Sequence, residues 1–178
     1  MKTKDYLTVA LAPVPVLLIP LVGMQVSKGW KWGPGSFVAA WVVLAGATFV
    51  YKLLATSKAA NRAYRIAAGL EVAAGFLITW LSAAVQIIGN ENPANVLYLG
   101  VILIGLTGIG LARFHPAGMA RAAFATAFAT FLVPVIAFLF WRADFSPGVP
   151  QVFLLNGFFV LMFAGSGLLF RRAATKAD

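Results

Sequence analysis

Long apolar runs separated by short polar and basic stretches set the pattern of this chain. Six runs approach or reach the roughly 20 residues that an α-helix needs to cross a hydrocarbon core of about 30 Å. They cover 6–26, 36–54, 66–89, 96–112, 122–141 and 152–170. The connectors carry turn chemistry: Lys-Trp-Gly-Pro-Gly at 31–35, Asn-Glu-Asn-Pro-Ala-Asn at 90–95, Phe-His-Pro-Ala-Gly at 114–118 and Ser-Pro-Gly-Val-Pro at 146–150. The pattern predicts an all-α polytopic membrane protein, a compact bundle of about six transmembrane helices forming a single domain over 1–178. Connectors this short predict that consecutive helices are antiparallel neighbours. Pro13, Pro15 and Pro20 interrupt the first run, which lacks a small-x-small cleavage site and is read as a retained helix.

Composition supports the same reading. The chain is 61% hydrophobic and 11% charged, whereas a soluble domain is nearer 45–50% apolar and about a quarter charged. The formal net charge of +9 invites a nucleic-acid reading. The basic residues, however, sit beside apolar runs and form no continuous basic face, so nucleic acid is excluded as a partner. They set orientation instead. With the N-terminus inside, Lys2, Lys4, Lys52, Lys58, Arg62, Arg65, Arg113, Arg121, Arg171, Arg172 and Lys176 fall on the inner side, and Lys28, Lys31 and Arg142 on the outer. That bias predicts a bacterial-type inner-membrane protein, multi-pass, with both termini cytoplasmic. Trp30, Trp32, Tyr98 and Trp141 are read as an outer aromatic belt, and Tyr6, Tyr51, Tyr64, Phe114 and Phe170 as an inner one.

The third run carries the most informative polar pattern. Advancing about 100° per residue, Glu71, Thr79, Ser82, Gln86 and Asn90 fall within an arc of about 100°, with Gly75 inside it. This stripe is one candidate ligand or ion pathway, to which Asn156 of the sixth run adds an amide at a similar depth to Gln86. Glu71 is the carboxylate inside a predicted span, and an ionisable group at that depth calls for a partner or a function. Two readings are open: a proton or cation relay, or an ion pair with Arg62, Arg65 or Arg121. Thr79, Ser82 and Gln86 likewise either line a path or hold helices together. Around the outer ends, Trp30, Trp32, Glu91, Asn95, Trp141 and Asp144 are candidates for the rim of an outward-facing pocket. Interfacial anchoring and helix capping, with Asn95 as N-cap of the fourth helix, are the other reading.

The fifth run presents Ala122, Thr126 and Thr130 at spacing four, followed by Pro134, which predicts close packing and a kink. Gly100, Gly105, Gly108 and Gly110 predict close packing of the fourth. Enzymatic chemistry finds little support. There is no cysteine and one histidine, His115, in a turn. Ser166, between Gly165 and Gly167, has no histidine on a partner helix to activate it. No catalytic residue, metal ligand or cofactor is therefore assigned. The expected partners are the lipid bilayer, a small-molecule or ion ligand, and either further copies of the chain or other membrane subunits. Two functions fit: a small transport or solute/ion-binding component, or a non-catalytic accessory or scaffold subunit of a larger membrane complex.

Overall fold

The computed structural model describes residues 3–26, 32–89, 92–141 and 145–175, and among these it is helical with no strand. Six helical stretches are long and apolar enough to cross a membrane: Thr3–Val26, Pro34–Ala55, Arg62–Ala84, Pro93–Ala112, Pro116–Phe140 and Val149–Ala174. They match the six apolar runs in order. All six begin earlier than their runs, three of them at a proline: Pro34, Pro93 and Pro116. Proline lacks an N–H that a first turn leaves unpaired anyway, and its φ is already helical. These three helices therefore start at the proline, ahead of the first long apolar stretch.

The chain folds as two compact units, Met1–Thr56 and Ser57–Asp178. The first holds α1 (Thr3–Leu11), α2 (Pro13–Val26) and α3 (Pro34–Ala55). α1 and α2 form one span broken at Ala12, because Pro13 disfavours helical geometry in the residue before it. Beside the break, the Ala10 carbonyl accepts a hydrogen bond from Trp41 Nε1 of α3 at 3.3 Å. A neighbouring helix that re-engages loosened backbone makes such a break tolerable in lipid. Lys52 Nζ also reaches Asp5 Oδ1, at 3.4 Å.

The second unit holds α4 (Arg62–Ala84), a 3-10 turn (Pro93–Val96), α5 (Leu97–Ala112), α6 (Pro116–Phe140) and α7 (Val149–Ala174). α7 packs along both α4 and α6, and α6 along α5, while α4 and α5 meet only briefly. Consecutive helices of this unit are thus in contact, as expected, with α4–α5 the weakest pair. α4 ends at Ala84, and Gln86 adopts a left-handed φ of 56°, which turns the chain off the helix axis ahead of the next helix.

Size, more than hydrophobicity, sorts residues in this unit. Lipid tails are as apolar as leucine, so helices gain by close packing of small residues. Ala67, Ala68 and Ala74 of α4 and Ala120, Ala123 and Ala127 of α6 are buried. Leu99, Leu103 and Leu106 of α5 and Leu154, Phe158 and Leu161 of α7 are exposed. Phe159, Phe163 and Phe170 of α7 fill the interior between the alanine faces. The predicted small face of α6 is borne out, with Ala122, Thr126, Thr130 and Pro134 all buried. It meets the glycines of α5 closely: a Cβ built on Gly108 would lie 2.6 Å from Ala122 Cβ, and one on Gly105 would lie 3.4 Å from Thr126 Oγ1. Gly100 and Gly110 have nothing within 4 Å.

Three aromatics leave the predicted belts. Tyr98 is buried rather than interfacial. Tyr64 and Phe170 are buried together, edge to face, with centroids 4.9 Å apart.

Asn61 opens α4 and ties it to α7. Its Oδ1 accepts from Tyr64 N at 3.0 Å, and its Nδ2 donates to the Ala173 carbonyl at 3.1 Å. Asn61→Ala is expected to destabilise the second unit by about 1–2 kcal/mol. Asn61→Asp should recover the cap but lose the bond to Ala173. Thermal unfolding in mild detergent ranks the three proteins, and equal midpoints for wild type and Asn61→Ala would refute this role.

Candidate functional site

α4 and α7 approach closely because small residues line their seam. Ala67 and Ala68 are buried on α4, as are Ser166 and Gly167 on α7, and the Ala67 carbonyl meets Ser166. A Cβ on the adjoining Gly165 would reach Leu70 Cδ2 at 3.4 Å. Into this seam α4 projects Glu71, which is 6% exposed. Its Oε2 is buried and has no hydrogen-bond partner.

The expected ion pair is not formed. Among the described residues the salt bridge found is Lys52–Asp5, in the first unit. Helix phase explains this: Arg62 and Arg65 project about 180° and 120° around α4 from Glu71, and both are exposed. Arg121 is exposed too, and its Nε donates to the Ala117 carbonyl at 3.4 Å.

The neighbour Glu71 does have is the Ser166 hydroxyl. Ser166 Oγ also donates to the Ala67 carbonyl at 3.0 Å. A hydroxyl carries one proton. While that proton is given to Ala67, Ser166 offers Glu71 only lone pairs, and a hydrogen bond between them requires a proton on the carboxyl. If the hydroxyl turns to Glu71, it serves a carboxylate and releases the carbonyl. The cluster therefore has two hydrogen-bonded arrangements that differ by one proton. It also gathers oxygen donors of three kinds (carboxyl, hydroxyl and carbonyl), a set suited to a small hard cation.

The rest of the stripe does not continue from Glu71 as an open path. Thr79 Oγ1 donates to the Gly75 carbonyl at 2.8 Å and Ser82 Oγ to the Thr79 carbonyl at 3.1 Å, both within α4. Gln86 lies beyond the helix end, where its N–H closes on the Leu81 carbonyl at 3.0 Å. The helical phase that aligned it with Glu71 does not apply there. Asn156 is 1% exposed. Its Oδ1 accepts from Tyr98 Oη at 3.0 Å, and its Nδ2 donates to the Val152 carbonyl at 2.8 Å. These bonds belong to helix packing.

The predicted rim is divided between the two units. Trp32, in the first, packs edge to face on Phe37, with centroids 5.3 Å apart. In the second, Trp141 caps α6 and rests against Phe140. Asn95 is not the N-cap expected. Val96 stands at the N-cap of α5 without a side-chain bond, and Asn92 caps the 3-10 turn before it, its Oδ1 accepting from Ala94 N at 2.9 Å. Asn95 instead clamps the turn leaving α4, accepting from Ile88 N and donating to the Gly89 and Asn92 carbonyls. Trp30, Asn90, Glu91 and Asp144 lie outside the described residues. His115 is exposed at the start of α6, as expected for a turn residue.

Sequence reasoning missed Ser166 as the partner of Glu71 and Tyr98 as the partner of Asn156. The glycines flanking Ser166 were the available signal, since they mark a place where backbones approach. Comparison with models of known families, with curated proteins and with solved structures finds no match to this chain. The fold itself defines the class: a helical, multi-pass membrane protein with six helices able to span.

Proposed function

We propose that the protein is a small-solute or ion transport or binding component of a bacterial-type inner membrane, in which Glu71 takes up and releases a proton or a small cation. One observation carries this reading: a buried carboxyl between α4 and α7 with an unpartnered oxygen and, among the described residues, no salt bridge. Leaving such a group uncompensated costs several kcal/mol, and a bound proton or cation removes that cost. The alternation available to Ser166 supplies a way for occupancy at Glu71 to change the contact between two helices. With both termini cytoplasmic, as the basic residues favour, Glu71 lies toward the inner side, and a homo-oligomer would complete the path.

The test uses the full chain in sealed vesicles, with luminal proton and sodium reporters. Wild type is expected to carry one of these ions, and Glu71→Gln to reduce the flux by about tenfold or more, the scale on which single groups of an ion pathway act. The unfolding midpoint should stay close to wild type. Unchanged flux in Glu71→Gln would remove the coupling role. A wild-type protein that neither moves these ions nor is stabilised by either would remove the proposal.

A second reading, a non-catalytic accessory or scaffold subunit, is favoured by the closed hydrogen bonds of Thr79, Ser82 and Asn156, which leave those groups to packing. Stoichiometric co-purification of other membrane subunits from mild detergent, with no retained ligand or ion, would select it.

A further inference from the structure

The start of α6 and the end of α7 enclose a groove of about 460 Å³ lined by Ala117, Ala120, Arg121, Phe124, Arg171, Ala174 and Thr175. That volume lies in the range of small-molecule sites, roughly 300–1,000 Å³. We propose that this groove binds an anionic glycerophospholipid, its phosphate between the guanidinium groups of Arg121 and Arg171 and an acyl chain along Phe124. The assignment is independent of the role given to Glu71.

Charge makes the first argument. Both arginines are exposed, line one groove and form no salt bridge among the described residues. Arg121 uses its Nε on the Ala117 carbonyl, which leaves its terminal nitrogens for a ligand. The carboxylate that the second unit offers among its described residues is Glu71, buried against Ser166. Two cations facing one cleft, with no counter-ion among the described residues, favour an anionic ligand there. Planar guanidinium forks match phosphate oxygens in pairs.

Position makes the second. Arg121 lies in the second turn of α6 and Arg171 in the last turn of α7, so both stand at the ends of membrane-length helices, at the level of lipid headgroups. Basic pockets between transmembrane helices at this level suit anionic headgroups.

The wall makes the third and selects lipid over free phosphate. Apart from the arginines and Thr175, the lining is alanine and one phenylalanine. Thr175 Oγ1 already donates to the Arg172 carbonyl at 3.1 Å. Phe124 is held in place, since a Cβ on Gly167 would come within 3.0 Å of its ring. A free anion gains nothing from these apolar groups, whereas an acyl chain covers them.

The experiment is native mass spectrometry of the full chain in neutral detergent, titrated with phosphatidylglycerol, phosphatidylcholine or inorganic phosphate. Wild type is expected to retain one phosphatidylglycerol at concentrations where phosphatidylcholine is lost. The double variant R121Q/R171Q should weaken that retention by about tenfold or more. R62Q/R65Q removes two charges at the α4 start, tied to the same end of the bundle by Asn61 but outside the groove, and should retain the lipid as wild type does. Ala117→Phe keeps both arginines and fills the groove from an exposed position, so it should also lose the lipid. It carries the test if R121Q/R171Q fails to fold. Equal retention of the two lipids, or equal weakening by the two arginine pairs, would reduce the effect to diffuse surface charge and overturn the site. Displacement of phosphatidylglycerol by inorganic phosphate would make it a free-anion site, which also overturns the assignment.

Discussion

Gly108→Leu is expected to destabilise the second unit by about 3 kcal/mol, the upper range for forcing extra atoms into a close contact. Even the Cβ of alanine would stand 2.6 Å from Ala122 Cβ and 3.3 Å from its Cα, well inside the carbon–carbon optimum of about 3.5–4.0 Å. Neither atom can rotate aside, so α5 must move off α6 as a rod. Gly105→Ala should cost less, because the hydroxyl of Thr126 at 3.4 Å can adjust. Gly100→Ala meets nothing within 4 Å and should be neutral, or stabilising by up to about 1 kcal/mol through helix propensity. Unfolding in mild detergent gives the ranking. If Gly108→Ala proved as stable as Gly100→Ala, the close α5–α6 contact would be wrong.

The pairing of Tyr98 with Asn156 should show a specific non-additivity. Asn156→Leu leaves a buried phenolic hydroxyl without an acceptor, at about 1–3 kcal/mol. Tyr98→Phe leaves Asn156 Oδ1 without a donor, while Nδ2 keeps its bond to Val152. The double variant removes both polar partners and should be less damaged than the two single losses combined. Interhelical bonds in lipid show coupling of about 0.6 kcal/mol on average, and up to about 1.7. Burial of both side chains at 1% exposure places this pair toward the upper value. A double-mutant cycle that returns strict additivity would exclude the bond as an interaction between α5 and α7.

How far the sequence reads through depends on whether each feature is local. The six spans are legible because a run of apolar residues is its own evidence, and the small face of Ala122, Thr126 and Thr130 is visible from spacing alone. Helix starts at Pro34, Pro93 and Pro116 were placed late, since apolar onset marks where lipid begins rather than where the helix begins. The stripe is legible up to Ser82 and fails at Gln86, because the left-handed φ that ends the helix falls on a glutamine, three residues ahead of Gly89. Glu71 stood out as a carboxylate inside a span. Its surroundings were not legible, because Ser166 comes from a helix that bonds to Ala67 across 99 residues of chain. Tyr98 has the same history: at the end of a span it resembles an interfacial anchor, and only Asn156, 58 residues away, makes it an interior residue.

The two side-chain bonds across α4 and α7 are reciprocal. Asn61 of α4 donates to a carbonyl of α7, and Ser166 of α7 donates to a carbonyl of α4. A slide of one helix along the other by a single residue, about 1.5 Å, pulls both donors off their acceptors at once, and carbonyls of matching phase return only after a full turn of about 5.4 Å. The two bonds together therefore fix the longitudinal register of α4 against α7. Glu71, one turn on from Ala67, is held opposite Ser166 by that same register.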